Sequence, residues 1–160
     1  MIESKYIITK ETVALFPVKH IDYNTVIIES AQTKYIKQTP LEIIKTSCFN
    51  YWSTYEGRRA AVVHHMAFKQ KVPIPVSIQK AICLFPTHAP THFENNWIAY
   101  EHIDRFHRIT QQNHKHPAQI YVTFKNGYTT ILNVSLHIFK TQWQRTFNLM
   151  YKIGMIDLQK

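Results

Sequence analysis

Apolar and polar positions alternate with a short period through most of the chain, and the period lengthens toward the middle and at the end. Residues 5–16, KYIITKETVALF, predict two short strands around a turn near Lys10 and Glu11. TVIIES and KYIKQT, 25–30 and 34–39, predict a strand pair joined through 31–33, because β-branched and aromatic residues dominate both. KVPIPV, 71–76, is predicted to be extended, since a residue before proline avoids the α region. KAICLF, 80–85, reads as a strand ended by Pro86, and 88–96 as an exposed loop. WIAYEHI, 97–103, and RFHRI, 105–109, return to strand character, and the polar stretch 111–119 reads as a loop. In IYVTFKNGYTTILNV, 120–134, Asn126–Gly127 separates two alternating runs and predicts a hairpin with a type I′ turn.

Helical spacing begins at Pro40. Thr39 is the expected cap, Pro suits the first helical position, and Leu41, Ile44 and Cys48 share a face. A second helix is predicted from Ser53 or Thr54, with Tyr55, Val62 and Met66 on one side and Arg58 and Arg59 in or near its first turns. Gly57 there costs about 1 kcal/mol against alanine, so it marks a close approach or a later helix start. Trp52 and Tyr55 are expected in the core. The last element, 135–154, carries Leu136, Phe139, Trp143, Phe147, Met150 and Ile153 at three- and four-residue spacing. It predicts an amphipathic helix of about five turns capped by Ser135 and stopped by Gly154. Core packing accounts for its bulky stripe, and association is the alternative. The expected architecture is one α+β domain over 1–160: an antiparallel sheet with two or three helices, including this long C-terminal one.

Composition changes the picture mainly through charge. Nineteen Lys and Arg against ten Asp and Glu give +9 at pH 7. The stretch from Arg105 to Lys160 holds eight of the basic residues and one acid, Asp157. Folding that brought Arg105, Arg108, Lys115, Lys125, Lys140, Arg145 and Lys152 to one side would create a face for polyanions. Cys48 and Cys83 sit among apolar neighbours and read as buried thiols of a reducing compartment. The N-terminus has neither signal-peptide nor membrane-span character, and a cytoplasmic location is the default.

Catalytic constellations are weak. Three glycines do not build a phosphate loop, and no cysteine pair has metal-ligand spacing. Among the histidines, His88, His92 and His102 make the best metal candidate, for which a polar loop is the plainer reading. Arg58 and Arg59 would hold a phosphate well, yet no nucleophile or metal carboxylates accompany them. No enzymatic activity and no cofactor are expected. The pair suits an anion, a nucleic-acid backbone or simply a solvated helix face. Neutral groove contacts are available from Gln111, Gln112, Asn113, Gln142 and Gln144.

Several fragments, in order, resemble the bacterial competence transcription factor family, ComK. Ser47-Cys48 followed by Ser53-Thr54-Tyr55-Glu56-Gly57-Arg58-Arg59-Ala60 is similar to the family's Ser-Cys and Tyr-x-Gly-Arg-Lys-Ala block. Pro73-Ile74, Phe85-Pro86-Thr87 with Trp97 and His102, Asn126–Gly127 and Arg145–Thr146 repeat further blocks. Ala89 stands where the family has serine, and a cysteine before the tryptophan is absent. The resemblance implies binding to A/T-rich boxes of double-stranded DNA, largely through the minor groove, by dimers or pairs of dimers, without cofactor. It implies a cytoplasmic, nucleoid-associated activator of DNA-uptake genes. Arg58 and Arg59 are the first DNA-contact candidates, with Lys140 and Arg145 on the last helix after them. The best-studied type of member extends well past its last aligned helix into a tail engaged by a Clp-protease adaptor. Here the sequence stops at Lys160, so such control is expected to differ. The alternative is a non-catalytic interaction protein that modulates a full-length relative by mixed dimerisation.

Overall fold

A computed structural model describes residues 1–110 and 118–157; most of the predicted 111–119 loop, with Lys115 and three of the groove-contact candidates, Gln111, Gln112 and Asn113, lies outside them. The elements run β1 (Ile2–Glu3), β2 (Thr12–Pro17), β3 (Thr25–Glu29), β4 (Thr33–Ile36), α1 (Pro40–Asn50), α2 (Tyr55–Met66), β5 (Ile74–Ser77) and β6 (Ile82–Pro86). They continue with β7 (Trp97–Ala99), a 3-10 turn (Tyr100–His102), β8 (Ile103–Arg108), β9 (Ile120–Phe124), β10 (Thr129–Leu132) and α3 (Leu136–Lys152). Seven strands form one sheet in the order β1-β4-β3-β2-β7-β6-β5, and three form a second in the order β10-β9-β8. All pairings are antiparallel except β1 with β4. The α+β architecture with a long C-terminal helix is the one expected.

The larger sheet is the middle of three layers. On one face Leu15, Ile27, Ile36, Ile74, Leu84 and Trp97 meet Ile43, Ile44 and Cys48 of α1 and Tyr55 and Val62 of α2. On the other, Ala14, Ile28, Phe85 and Ile98 meet Ile120, Val122, Phe124 and Leu132 of the smaller sheet. The helix α3 serves both cores: Phe139 packs with the second, Leu149 and Met150 with the first. A register shift at Val13 turns both Val13 and Ala14 toward the second core, as an extra residue in a bulge does.

Four expectations change. Residues 5–9 are no strand: Tyr6 N–H donates to the Gln38 side chain at 3.0 Å and Ile8 N–H to the Ser47 hydroxyl at 2.9 Å. Residues 97–108 are two strands of different sheets, joined by the 3-10 turn whose His102 Nε2 lies 2.6 Å from the Lys10 carbonyl. The β9–β10 hairpin is present, but only Gly127 has positive φ (91°). Gly127 N–H donates to the Phe124 carbonyl at 2.9 Å, so the connection is a three-residue loop with a left-handed Gly instead of a type I′ turn. Trp52, expected in the core, is 97% exposed, whereas Tyr55 is buried. Both cysteines are buried free thiols; burial pushes Cys48 up to about 11. Among the described residues no helix is long and apolar enough to cross a membrane.

Candidate nucleic-acid interface

The helix α2 starts where its chemistry says it must. Thr54 caps it by accepting from Gly57 N–H at 2.9 Å. A Cβ on Gly57 would stand 2.8 Å from that same hydroxyl oxygen, so the glycine preserves the cap. This places Arg58 and Arg59 one turn inside the helix, both half-buried. Arg58 comes close enough to Cys48, at the end of α1, to offset part of the burial-driven rise of that thiol. Its Nε is buried and makes no hydrogen bond among the described residues.

Arg59 turns toward the segment that follows α2. Its Nη2 donates to the Lys69 carbonyl at 3.4 Å. The same segment is held from α3: Arg145 Nη2 donates to the Gln70 carbonyl at 3.0 Å, Gln142 Nε2 to the Lys71 carbonyl at 2.7 Å, and Lys152 Nζ to the His65 carbonyl at 3.1 Å. The Arg145 guanidinium also lies 4.1 Å above the centre of the Phe68 ring. Residues 65–71 therefore hang between two helices by four side-chain donors. Ala67 (φ 58°) and Lys71 (φ 50°) take the left-handed backbone that such a short, fastened turn needs. Lys69 and Gln70 remain exposed at its tip.

The arrangement gathers Arg59, Lys69, Lys71, Arg145 and Lys152 around one segment. The ion pairs of the described residues lie elsewhere, at Lys34, Lys45–Glu56, His20–Asp22 and Arg105–Asp104. A cluster of cations for which the ion pairs of the described residues supply no carboxylate attracts phosphates. Burial holds the Arg145 pKa below the usual arginine range, but arginine titrates so far above neutral that it stays charged.

The sequence candidates divide accordingly. Arg58 and Arg59 sit on α2, and Arg145 is joined to the Arg59 side through residues 65–71. Lys140 is exposed nearer the start of α3. Arg105 and Arg108 are on β8 and Lys125 in the hairpin loop, so the C-terminal basic residues are spread over three elements. Gln142, expected to be free for groove contacts, is 2% exposed and spent on carbonyls. Lys69 and Lys71 are absent from the sequence candidates, and Lys152 is there only as part of a general basic face; the ties from α3 to residues 65–71 join positions 71 to 87 apart, which no local pattern encodes. The His88 and His92 rings stack at 5.2 Å while His102 is occupied with Lys10, and the described residues hold no group of three metal-ligating side chains.

Comparison with known proteins adds a lineage. The family described as "ComK protein" matches residues 3–157. The competence transcription factor of Bacillus subtilis (strain 168) is 33% identical over 143 residues, covering 88% of this chain and 71% of that protein. No solved structure matches.

Proposed function

This chain belongs to the ComK family, and from that premise we propose that it is a transcription regulator of competence genes that binds double-stranded DNA through α2, residues 65–71 and α3. The observation that carries the reading is the convergence of Arg59, Arg145 and Lys152, from two helices, on one segment that itself bears Lys69 and Lys71. Each phosphate neutralised there releases counterions, and the affinity gained depends on salt. Arg58 and Arg59 are the principal contacts; Arg145 and Lys140 extend the surface along α3. A/T-rich boxes are the expected targets, read in the minor groove, where arginine is favoured by a narrow, electronegative cleft. The reading assigns no reaction and no cofactor, and places the protein on DNA in the cytoplasm as a dimer or pair of dimers.

A second reading, a partner-modulating protein acting through mixed dimers, draws on β10. This free edge of the smaller sheet has no charged residue, and Ile131 on it is 55% exposed. An uncharged edge is open to strand addition by another copy or a relative. The two readings separate on R58A/R59A. The DNA reading expects a folded protein with at least a tenfold loss of duplex affinity. A folded double variant that binds as wild type refutes it.

A further inference from the structure

The turn between α1 and α2 presents an apolar surface that core packing does not explain. Trp52 is 97% exposed and Phe49, three residues before it, is 68% exposed. Trp52 also takes φ 64°, a left-handed conformation that disfavours every residue with a Cβ. The turn is firmly fastened. Tyr51 N–H reaches the Ser47 and Cys48 carbonyls at 3.2 and 3.1 Å, and Trp52 N–H the Phe49 carbonyl at 3.0 Å. Ser53 N–H reaches the Cys48 carbonyl at 3.0 Å. Tyr51 Oη donates to the Ile8 carbonyl at 2.6 Å, and Lys80 lies over the Tyr51 ring at 5.4 Å. The indole is thus held outward by a rigid, strained support.

Its surroundings are cationic. Arg58 lies beside Cys48, whose carbonyl anchors the turn, and Lys45, midway along α1, reaches the start of α2, where its Nζ lies 5.9 Å from the centre of the Tyr55 ring. The nearby acid, Glu56, is paired with Lys45 at 3.6 Å. Two copies meeting here would oppose like charges. A polyanion with flat apolar faces between its phosphates matches both features.

We propose that Trp52, with Phe49 beside it, is a wedge that inserts between base steps of the DNA gripped by Arg58 and Arg59. The inference rests on the DNA-binding reading and adds how a step is chosen. Pyrimidine–purine steps, TA above all in A/T-rich sequence, unstack most easily, and apolar side chains that enter from the minor groove exploit this. The wedge would favour a TA step at a fixed position of the site.

The test uses the full chain, its W52G variant and two A/T-rich duplexes differing only in a central TA or AA step. Glycine suits φ 64°, so W52G is expected to fold with an unchanged or higher Tm. Wild type is expected to prefer the TA duplex, with quenching of exposed-tryptophan emission on binding. W52G is expected to bind it about tenfold or more weakly and to lose the preference. Equal binding by W52G and a wild type that does bind DNA refutes the wedge while leaving the DNA reading intact. A loss of affinity that accompanies conversion of a dimer to monomer in light scattering also refutes it, assigning Trp52 to contact between copies. Failure of wild type to bind either duplex overturns the DNA reading itself.

Discussion

Gln142 tests whether the fastening of residues 65–71 is energetically real. Its side chain, 2% exposed, donates from Nε2 to the carbonyls of Lys71 and Pro86, both at 2.7 Å. Its Oε1 accepts from Arg145 Nη1 at 2.6 Å. Gln142→Leu keeps most of the volume and removes all three bonds. The Pro86 carbonyl is left buried without this donor, at about 1–3 kcal/mol. The Lys71 carbonyl and Arg145 are nearer solvent and lose about 0.5–1.5 kcal/mol each. Burying the leucine returns about 1 kcal/mol. The expected net loss is about 1–5 kcal/mol and centres near 3, which is a fall in Tm of roughly 6–12 °C for a domain of this size. Urea unfolding followed by circular dichroism measures it, provided the m-value is unchanged. A variant within about 0.5 kcal/mol of wild type would refute the reasoning, because at least one of those carbonyls would then have another donor or ready access to water.

Two other sites give sharp expectations. Thr54→Ala should cost about 1 kcal/mol in wild type but close to nothing in a Gly57→Ala background, where the added Cβ has already displaced the cap; additive effects in the double-mutant cycle would contradict the crowding at 2.8 Å. His88 has its pKa lowered by burial, so the folded state takes up its proton later than the unfolded chain does. Its contribution to stability is therefore present above the unfolded value of about 6.5 and declines as pH falls below it. His88→Gln should flatten the pH dependence of the urea midpoint between about pH 7 and 5, and an unchanged slope would count against that burial.

Local signals were legible wherever one hydrogen bond or one φ angle decides the outcome. Thr39, Thr54 and Ser135 mark the three helix starts, and Gly127 marks the hairpin. The strand expected at 5–9 failed because the Tyr6 and Ile8 amides found side chains 32 and 39 positions away. The switch of sheets after Ala99 was hidden because both sheets demand the same apolar residues there. In the site, the arginine pair stood out by its sequence neighbourhood. The role of Arg145 as a tie to Gln70 did not, since a backbone carbonyl leaves no trace in residue type. The exposure of Trp52 is hidden for a related reason: tryptophan is usually core, and its exposure follows from a backbone turn fastened by its neighbours.

DNA binding is tested most directly by fluorescence anisotropy with two labelled duplexes of equal length, one A/T-rich with paired boxes and one G/C-rich, titrated with wild type at several salt concentrations. Tighter binding to the A/T-rich duplex is expected, with log affinity falling linearly as log salt rises, at a slope of about 0.9 per phosphate contacted. No binding to either duplex, or an affinity flat from about 50 to 300 mM salt, would contradict a regulator that holds DNA by the cations gathered around residues 65–71.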